Sequence, residues 1–232
     1  MGKETDLVTA RYARRAELGT DGRYSMLNPT VWQGVQERQR ALISLLNKHT
    51  DKPLDQLQVL EIGCGSGGNL LELIRIGFPP DNLSGNELLP ERVAIARDNL
   101  PLACSIAAGD ANQMICQQES IDIVYQSTVF SSLLDDNYQN ELASRMWQWV
   151  KPGGGILWYD FIYNNPNNSD VRGVTTGRMK ELFPQGVFDI RKVTLAPPLS
   201  RRVCKIHPSL YTALNLFPFL RTHVLCWIGK KK

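Results

Sequence analysis

The residues best suited to chemistry form a glycine-rich loop directly after a short apolar run. Val59–Ile62 is followed by segment 63–69, in which four of the seven residues are glycine. Glycine lets the backbone approach a ligand closely, and such a loop between a strand and a helix commonly binds a nucleotide. The glycines at 63, 65 and 68 fit G-x-G-x-x-G, and Glu87 follows as the expected downstream acid. By themselves the glycines leave a nicotinamide cofactor and S-adenosylmethionine both open.

Two further acids favour S-adenosylmethionine. Glu61 precedes the first glycine by two residues, a position poorly suited to a pyrophosphate but well suited to the cationic methionine end of S-adenosylmethionine. Asp110 follows a third strand-like run and can accept a hydrogen bond from the adenine amino group. We also expect no separate substrate domain of dehydrogenase size in 232 residues.

As a set, these segments resemble the class I S-adenosylmethionine-dependent methyltransferases over about residues 55–160. Similarity to the family's ordered motifs is found at Val59–Asn69, Gly85–Glu87, Gly109–Ala111, Ile121–Gln126 and Lys151–Gly154. Glu87 stands where Asp is also common, and its longer side chain keeps the role of holding the ribose hydroxyls. The resemblance implies cofactor contacts at Glu61, Gly63, Cys64, Gly65, Gly67, Asn69, Glu87, Leu88, Asp110, Ala111 and Gln126.

The elements that position these residues alternate between strand and helix. The pattern predicts strands at 59–62, 82–86, 104–108, 121–126, 155–162, 187–195 and 222–228, and helices at 31–47, 68–76, 90–99, 137–150 and 176–183. With the resemblance, this predicts an α/β fold: a Rossmann-like, seven-stranded, mostly parallel sheet with an antiparallel last strand and helices on both faces.

The predicted domain covers residues 51–232 and carries an insertion at about 196–221. Residues 1–50 are polar and helical in pattern, and we expect them to form a cap or lid over the cofactor. The residues expected to close over it are Tyr12, Arg15, Arg23, Tyr24 and Gln36.

Methyl transfer is an in-line displacement, so alignment supplies most of the catalysis, and a base is needed only where the acceptor loses a proton. Ligands of open parallel sheets bind beyond the strands' carboxyl ends, which predicts an acceptor site near 126–131 and 160–165. Asp160 is the preferred candidate base and His207 the second, while His223 is expected to be structural. No cluster of His, Asp, Glu or Cys has the spacing of a metal site.

The acceptor is predicted less directly. The exit of the fourth strand lacks the Asn/Asp-Pro-Pro-Tyr/Phe and Pro-Cys motifs of nucleic-acid methyltransferases, so nucleic acid is an unlikely partner. The amide-rich segment 163–173 and segment 195–202 resemble bacterial methyltransferases of surface-polysaccharide and glycan assembly. That resemblance implies a sugar O-methyltransferase acting on a small-molecule or glycan acceptor, lipid-linked or nucleotide-linked.

Charge and cysteines suggest a location. Residues 178–232 hold eleven Lys/Arg and two Asp/Glu in a chain of net charge +3, so an anionic partner or membrane surface is expected at the C-terminal quarter. Five cysteines without a C-x-x-C pair, and no apolar leader or spanning segment, predict a reduced cytoplasmic protein with an optional peripheral membrane contact.

Three alternatives stay open from sequence. The first is a methyltransferase that uses its basic C-terminal region on RNA or protein. The second is an NAD(P)-dependent oxidoreductase, since the glycine fingerprint permits it. The third is a binding module that retains the fold without turnover.

Overall fold

The protein, a computed structural model, is described at residues 3–17, 22 and 25–232. Its centre is a seven-stranded sheet in the order β3-β2-β1-β4-β5-β7-β6. The strands are β1 Val59–Ile62, β2 Leu83–Glu87, β3 Ser105–Ala108, β4 Ile121–Ser127, β5 Val150–Phe161, β6 Val187–Leu195 and β7 Arg221–Gly229. Strands β1 to β5 are parallel, and β7 runs antiparallel to both β5 and β6. The predicted fold class is confirmed.

Eight helices lie in the described residues. They are α1 Lys3–Glu17, α2 Pro29–His49, α3 Gly68–Ile76, α4 Pro90–Asn99, α5 Asp136–Trp149, α6 Thr176–Leu182, α7 Pro197–Ile206 and α8 Ser209–Asn215. Asn28 caps α2 by accepting a 3.0 Å hydrogen bond from the Thr30 N–H, and Pro29 fits the first turn, where no donor is needed.

Helices α7 and α8 are the main difference from the sequence pattern, which predicted an insertion here without helices. The prolines at 197 and 198 open α7 rather than prevent it, because the first turn of a helix uses no backbone donor.

Both faces of the sheet are covered, and alternate strand residues enter different cores. Leu60 and Ile62 belong to a core with α5 and α6, whereas Val59 belongs to a core with α2 and α3. Glu61, two residues from Val59, therefore points toward α2 and α3. No helix in the described part of the chain is long and apolar enough to cross a membrane.

The first helix lies across the carboxyl edge of the sheet. Arg11 donates a 2.9 Å hydrogen bond to the Ser132 carbonyl, and Glu4 Oε1 accepts a 2.8 Å bond from the Leu134 N–H. Arg11 and Glu4 also form a buried ion pair of 2.6 Å. These contacts hold α1 over the loop that follows β4.

Candidate active site

A cavity of about 670 Å³ opens where β1, β2 and β4 end. Helices α1 and α2 close part of it, and the starts of α3 and α4 form its floor. The lining residues used below are Val8, Tyr12, Arg38, Gly63, Cys64, Gly65, Asn69, Glu87, Leu88, Arg92, Asp110, Ala111, Ser127, Thr128, Ser132 and Tyr138.

The glycine loop shapes this cavity through positions that exclude a side chain. Gly63 has φ +63°, and a Cβ there would lie 2.5 Å from Val129 Cγ2. Gly67 has φ +84° and is the N-cap residue of α3, and a Cβ there would lie 2.8 Å from Leu100 Cδ1. Of the predicted cofactor contacts in this loop, Gly63, Cys64 and Gly65 line the cavity, whereas Gly67 does not. Gly67 allows α3 to pack close to the end of α4.

The Glu87 carboxylate is held rigidly at the end of β2. Its Oε2 accepts a 2.8 Å bond from the Gly65 N–H and its Oε1 a 2.9 Å bond from the Leu89 N–H. Glu87 is buried and still lines the cavity. Each carboxylate oxygen retains a second acceptor position, so the group is oriented and can accept further donors.

A second carboxylate lies one strand away. Glu61 is fully buried, its Oε1 accepts a 2.6 Å bond from Asn69 Nδ2, and its Oε2 has no partner. Burial raises the pKa of Glu61 to about 8, although the bond from Asn69 and the charge of Arg38 act in the opposite direction. A buried carboxylate with a free oxygen favours a nearby cation. Glu61 itself does not line the cavity, but Asn69 does.

Arg38 of α2 is the cation that sequence reasoning missed. Its Nη2 donates a 3.1 Å bond to Asn69 Oδ1, and its guanidinium lies over the Tyr159 ring at 5.0 Å. Arg38 lines the cavity, while the predicted Gln36 does not. The signal was weak because 25 residues separate Arg38 from the first loop glycine, and only the packing of α2 brings them together.

Asp110 has two structural partners as well as a place in the cavity wall. It accepts a 2.8 Å bond from the Asn112 N–H and caps a short 3₁₀ turn, and the Tyr138 hydroxyl donates to the same oxygen. Burial and the Asp110 charge raise the pKa of Tyr138, so the phenol stays a donor. Leu88 and Ala111 line the cavity nearby, as predicted.

Part of the predicted lid segment lies within the described residues. Tyr12 of α1 lines the cavity, with the Arg92 guanidinium 4.4 Å and the Arg15 guanidinium 4.9 Å from its ring centre. Arg23 and Tyr24 lie outside the described residues. Within the described part, α1 and α4 therefore meet above the cavity through an aromatic ring and two cations.

Besides Glu61, Gly67 and Gln36, three further predicted residues do not line the cavity. Gln126 is buried, donates to the Tyr159 carbonyl at 3.3 Å and accepts from the Val129 N–H at 3.1 Å. Asp160 is buried and accepts from the N–H groups of Ser131 at 3.1 Å and Phe161 at 2.9 Å. Burial raises the pKa of Asp160 to about 7. His207 is exposed at the end of α7, where its Nδ1 accepts from the Ser209 N–H.

The side chains of Gln126 and Asp160 are bonded to the backbone of the loop that follows β4, to the N–H groups of Val129 and Ser131. Gln126 and Asp160 stand in register with the neighbours that face α5 and α6, on the opposite side of the sheet from Glu61. A catalytic role for Asp160 or His207 stays a prediction. His223 stacks on Tyr159 at 5.3 Å, and burial lowers its pKa to about 4, which fits the structural role expected for it.

Comparison with known proteins agrees with this geometry. Residues 59–154 match the family described as a methyltransferase domain. The sterol 4-C-methyltransferase strm-1 of Caenorhabditis elegans is 27% identical over 150 residues, which are 61% of this chain and 42% of that protein. The chain thus spans less than half the length of that relative.

Solved structures share the fold. An S-adenosylmethionine-dependent methyltransferase from Methanosarcina mazei superimposes with a TM-score of 0.56 at 13% identity, covering 81% of this chain and 98% of that one. The cyclase SpnF superimposes with a TM-score of 0.57 at 15% identity, covering 85% and 82%. Proteins with this fold therefore catalyse more than one type of reaction. The function has to be inferred from the residues of the site. Residues 59–154 thus match a methyltransferase domain, and the chain shares the fold of that solved S-adenosylmethionine-dependent methyltransferase.

Proposed function

We propose that the chain is an S-adenosylmethionine-dependent methyltransferase that O-methylates a sugar or another small hydroxylated acceptor, lipid-linked or nucleotide-linked. One observation carries the first part of this proposal. Glu87, Asn69 and Arg38 line a single cavity at the carboxyl edge of the sheet, and Asn69 is bonded to the buried Glu61 carboxylate behind it.

The donors and acceptors present fit this cofactor. The Glu87 carboxylate suits ribose hydroxyls, which donate, and Arg38 suits a carboxylate. The unpartnered Glu61 Oε2 suits an ammonium group. A dinucleotide would instead bring its pyrophosphate to the glycine loop beside Glu61, where like charges repel. The Glu61 carboxylate therefore argues against the oxidoreductase alternative, whereas Glu87 suits either cofactor.

Bound S-adenosylmethionine supplies an electrophilic methyl group on a sulfonium, so the protein has chiefly to align the acceptor. Four residues that carry hydroxyl groups line the cavity: Tyr12, Ser127, Thr128 and Ser132. Hydroxyls both donate and accept, which supports an acceptor that carries hydroxyls. Helix α1 covers this region and limits the access of water.

Asp160 contributes to this site through the loop it holds. Its Oδ2 accepts from the Ser131 N–H, and the next residue, Ser132, lines the cavity. We therefore propose Asp160 as a positioning residue and keep direct base catalysis by Asp160 or His207 as the alternative for the tests below.

The acceptor class rests on weaker support. The amide-rich segment uses several side chains for its own turns: Asn164 Oδ1 accepts from the Gly173 N–H at 2.9 Å, and Asn165 Oδ1 from the Asn167 N–H at 3.0 Å. Those amides are thus less available to a glycan than the sequence suggested. The relative strm-1 is named for methyl transfer to a carbon of a sterol, which supports a lipid acceptor over a nucleotide-linked one and leaves transfer to oxygen to the test below.

Calorimetry with S-adenosylhomocysteine tests the cofactor. We expect the wild-type chain to bind it and Glu87→Ala to bind at least about tenfold more weakly, because the acceptor for two ribose donors is lost. Glu91→Ala, an exposed acid in the first turn of α4, is the matched control. Absence of heat, or thermal stabilisation by NAD(P) instead, would contradict the proposal.

Turnover tests the acceptor. Labelled S-adenosylmethionine is incubated with panels of lipid-linked glycans, nucleotide sugars, sterols and RNA, and mass spectrometry detects the gain of one methyl group. Methylation of a hydroxyl is the expected result. Methylation confined to RNA or protein would support the alternative substrate class.

A further inference from the structure

The insertion between β6 and β7 carries an exposed surface that the proposed function does not use. We call it the edge patch and define it by four apolar and three basic side chains. The apolar members are Ile206, Leu216, Phe217 and Phe219, exposed by 77%, 72%, 49% and 74%. The basic members Arg201, Arg202 and Lys205 are also exposed. Single exposed apolar residues are ordinary, but a group in one insertion points to a partner.

The helices beneath the patch are firmly attached. Cys204 and Tyr211 are buried with Leu195 in a small core of their own. The Tyr211 hydroxyl donates a 2.7 Å bond to Glu37 Oε2 of α2, and Thr30 Oγ1 donates to the Ser200 carbonyl at 3.4 Å. The exposed apolar side chains therefore lie outside the small core of the insertion.

The start of α2 extends the same surface. Helix α2 packs against both α7 and α8. Leu27, just before α2, is 94% exposed and Trp32 in its first turns is 43% exposed. Tryptophan and other large apolar residues beside basic ones are typical of helices that lie in a membrane interface.

The charge of this region has one sign. Residues 196–221 contain three Arg, one Lys and no Asp or Glu. Arg221 is engaged, since it donates to the Asn215 and Lys192 carbonyls. Arg201, Arg202 and Lys205 form no ion pair with another described residue. An anionic surface would complement these three cations.

The sheet places the patch beside the cavity. Leu195 ends β6 opposite Arg221, which begins β7, and β7 is antiparallel to β5. The insertion therefore leaves the sheet at the carboxyl edge, where the cavity lies. Arg38, which lines the cavity, follows Trp32 by six residues of α2, about 9 Å along the helix axis.

The other basic residues of the C-terminal quarter lie elsewhere. Gly229 pairs with Gly155 at the opposite end of β5. Lys230 Nζ donates to the Val150 carbonyl at 2.8 Å, and Lys232 lies 3.4 Å from Asp51. The sequence grouped these lysines with the insertion as one basic tail, but the fold sends them to opposite edges.

We infer that the edge patch docks on an anionic lipid bilayer. Phe217 and Phe219 of the patch and Trp32 of the adjoining α2 enter the membrane interface, and the three α7 cations contact lipid headgroups. Docking places the mouth of the cavity at the membrane surface. This inference extends the proposed function, since it concerns where a lipid-linked acceptor would be met.

Vesicle co-sedimentation tests the inference. The wild-type chain is mixed with vesicles of phosphatidylcholine alone or with about one third phosphatidylglycerol. We expect binding to the anionic vesicles that weakens with salt. Arg201→Glu/Arg202→Glu should lower the partition coefficient at least about tenfold, since each basic residue near such a surface contributes about fivefold.

The matched control is Lys231→Glu/Lys232→Glu, with the same change in charge at the opposite edge. Phe219→Ser should weaken binding several-fold at every salt concentration, and its control is Leu102→Ser, which changes a fully exposed leucine just before β3. No binding to anionic vesicles, or equal loss in patch and control variants, would overturn the inference, and a patch that bound only protein would do so too. Calorimetry with S-adenosylhomocysteine on the same variants reports on the cofactor site separately.

Discussion

Asn69 Nδ2 donates a 2.6 Å hydrogen bond to Glu61 Oε1 and leaves Glu61 Oε2 without a partner in a fully buried position. The amide thus orients a carboxylate whose charge is not neutralised by a direct ion pair. Burial of such a group is unfavourable unless a cation arrives, so the pair is arranged for a ligand rather than for stability.

The pH dependence of cofactor binding follows from this pair. Burial raises the pKa of Glu61 to about 8, and an ammonium group favours the ionised form, so binding releases a proton. Affinity for S-adenosylhomocysteine should rise as pH increases toward about 8. Glu61→Gln should bind about tenfold more weakly above that pH and show a flatter profile. Calorimetry in buffers of different ionisation enthalpy measures the released proton, and equal slopes for both proteins would contradict the assignment.

Arg38 should act on cofactor affinity more than on turnover. Arg38→Met removes the cation beside Asn69 and preserves most of the helix surface, so KM for S-adenosylmethionine should rise about tenfold while kcat changes little. Arg40→Met, an exposed residue one half-turn further along α2, is the control. A fall in kcat without a change in KM would place Arg38 at the acceptor instead.

The attachment of α1 depends on a buried ion pair. Glu4 and Arg11 are 6% and 8% exposed at the side chain, and removal of one partner of such a pair costs about 3–5 kcal/mol. Glu4→Gln should therefore loosen α1, with amide hydrogen exchange in residues 5–15 at least about tenfold faster and weaker cofactor binding. Asp6→Asn, exposed on the same helix, should change neither. Unaltered exchange in Glu4→Gln would show that the pair does not hold the lid.

Substitution of Asp160 distinguishes a positioning role from general-base catalysis. Because both oxygens accept from backbone N–H groups, Asp160→Asn should lower kcat by less than about tenfold and leave the pH profile unchanged. Removal of a general base would cost about a hundredfold or more. It would also remove one limb of the pH profile of kcat, near the Asp160 pKa of about 7. The latter result would establish Asp160 as the base.

His223 should control acid stability. Burial lowers its pKa from 6.5 to about 4, so the unfolded chain binds more protons in this interval and stability falls as pH decreases from 6.5 to 4. At pH 5 this effect lowers the free energy of unfolding by about 2 kcal/mol. His223→Phe keeps a ring against Tyr159 and should reduce this loss, as measured by urea unfolding at several pH values. A large loss of turnover at neutral pH would contradict a purely structural role.

The sequence by itself determined the local parts of the site. Strand β1 and helices α3 and α4 occur at the predicted residues, because a buried run, a glycine loop and a helix start are all encoded within a few neighbouring positions. Glu87 at the end of β2 and Asp110 after β3 were found for the same reason. The mostly parallel direction of the strands followed from their alternation with helices, and the antiparallel last strand from the family resemblance.

Only the tertiary structure decided which side chains meet. Arg38 reaches the cavity because α2 packs across the carboxyl edge, a relation that no spacing in the chain expresses. Glu61 and Asp160 are both buried strand acids, yet one is bonded to Asn69 of α3 and the other holds a loop on the opposite face. The basic C-terminal quarter was divided between two edges by the antiparallel direction of β7. In each case the position of the side chain depends on contacts between segments that are distant in sequence. The free energy of those contacts comes from tertiary packing, which local sequence patterns do not encode.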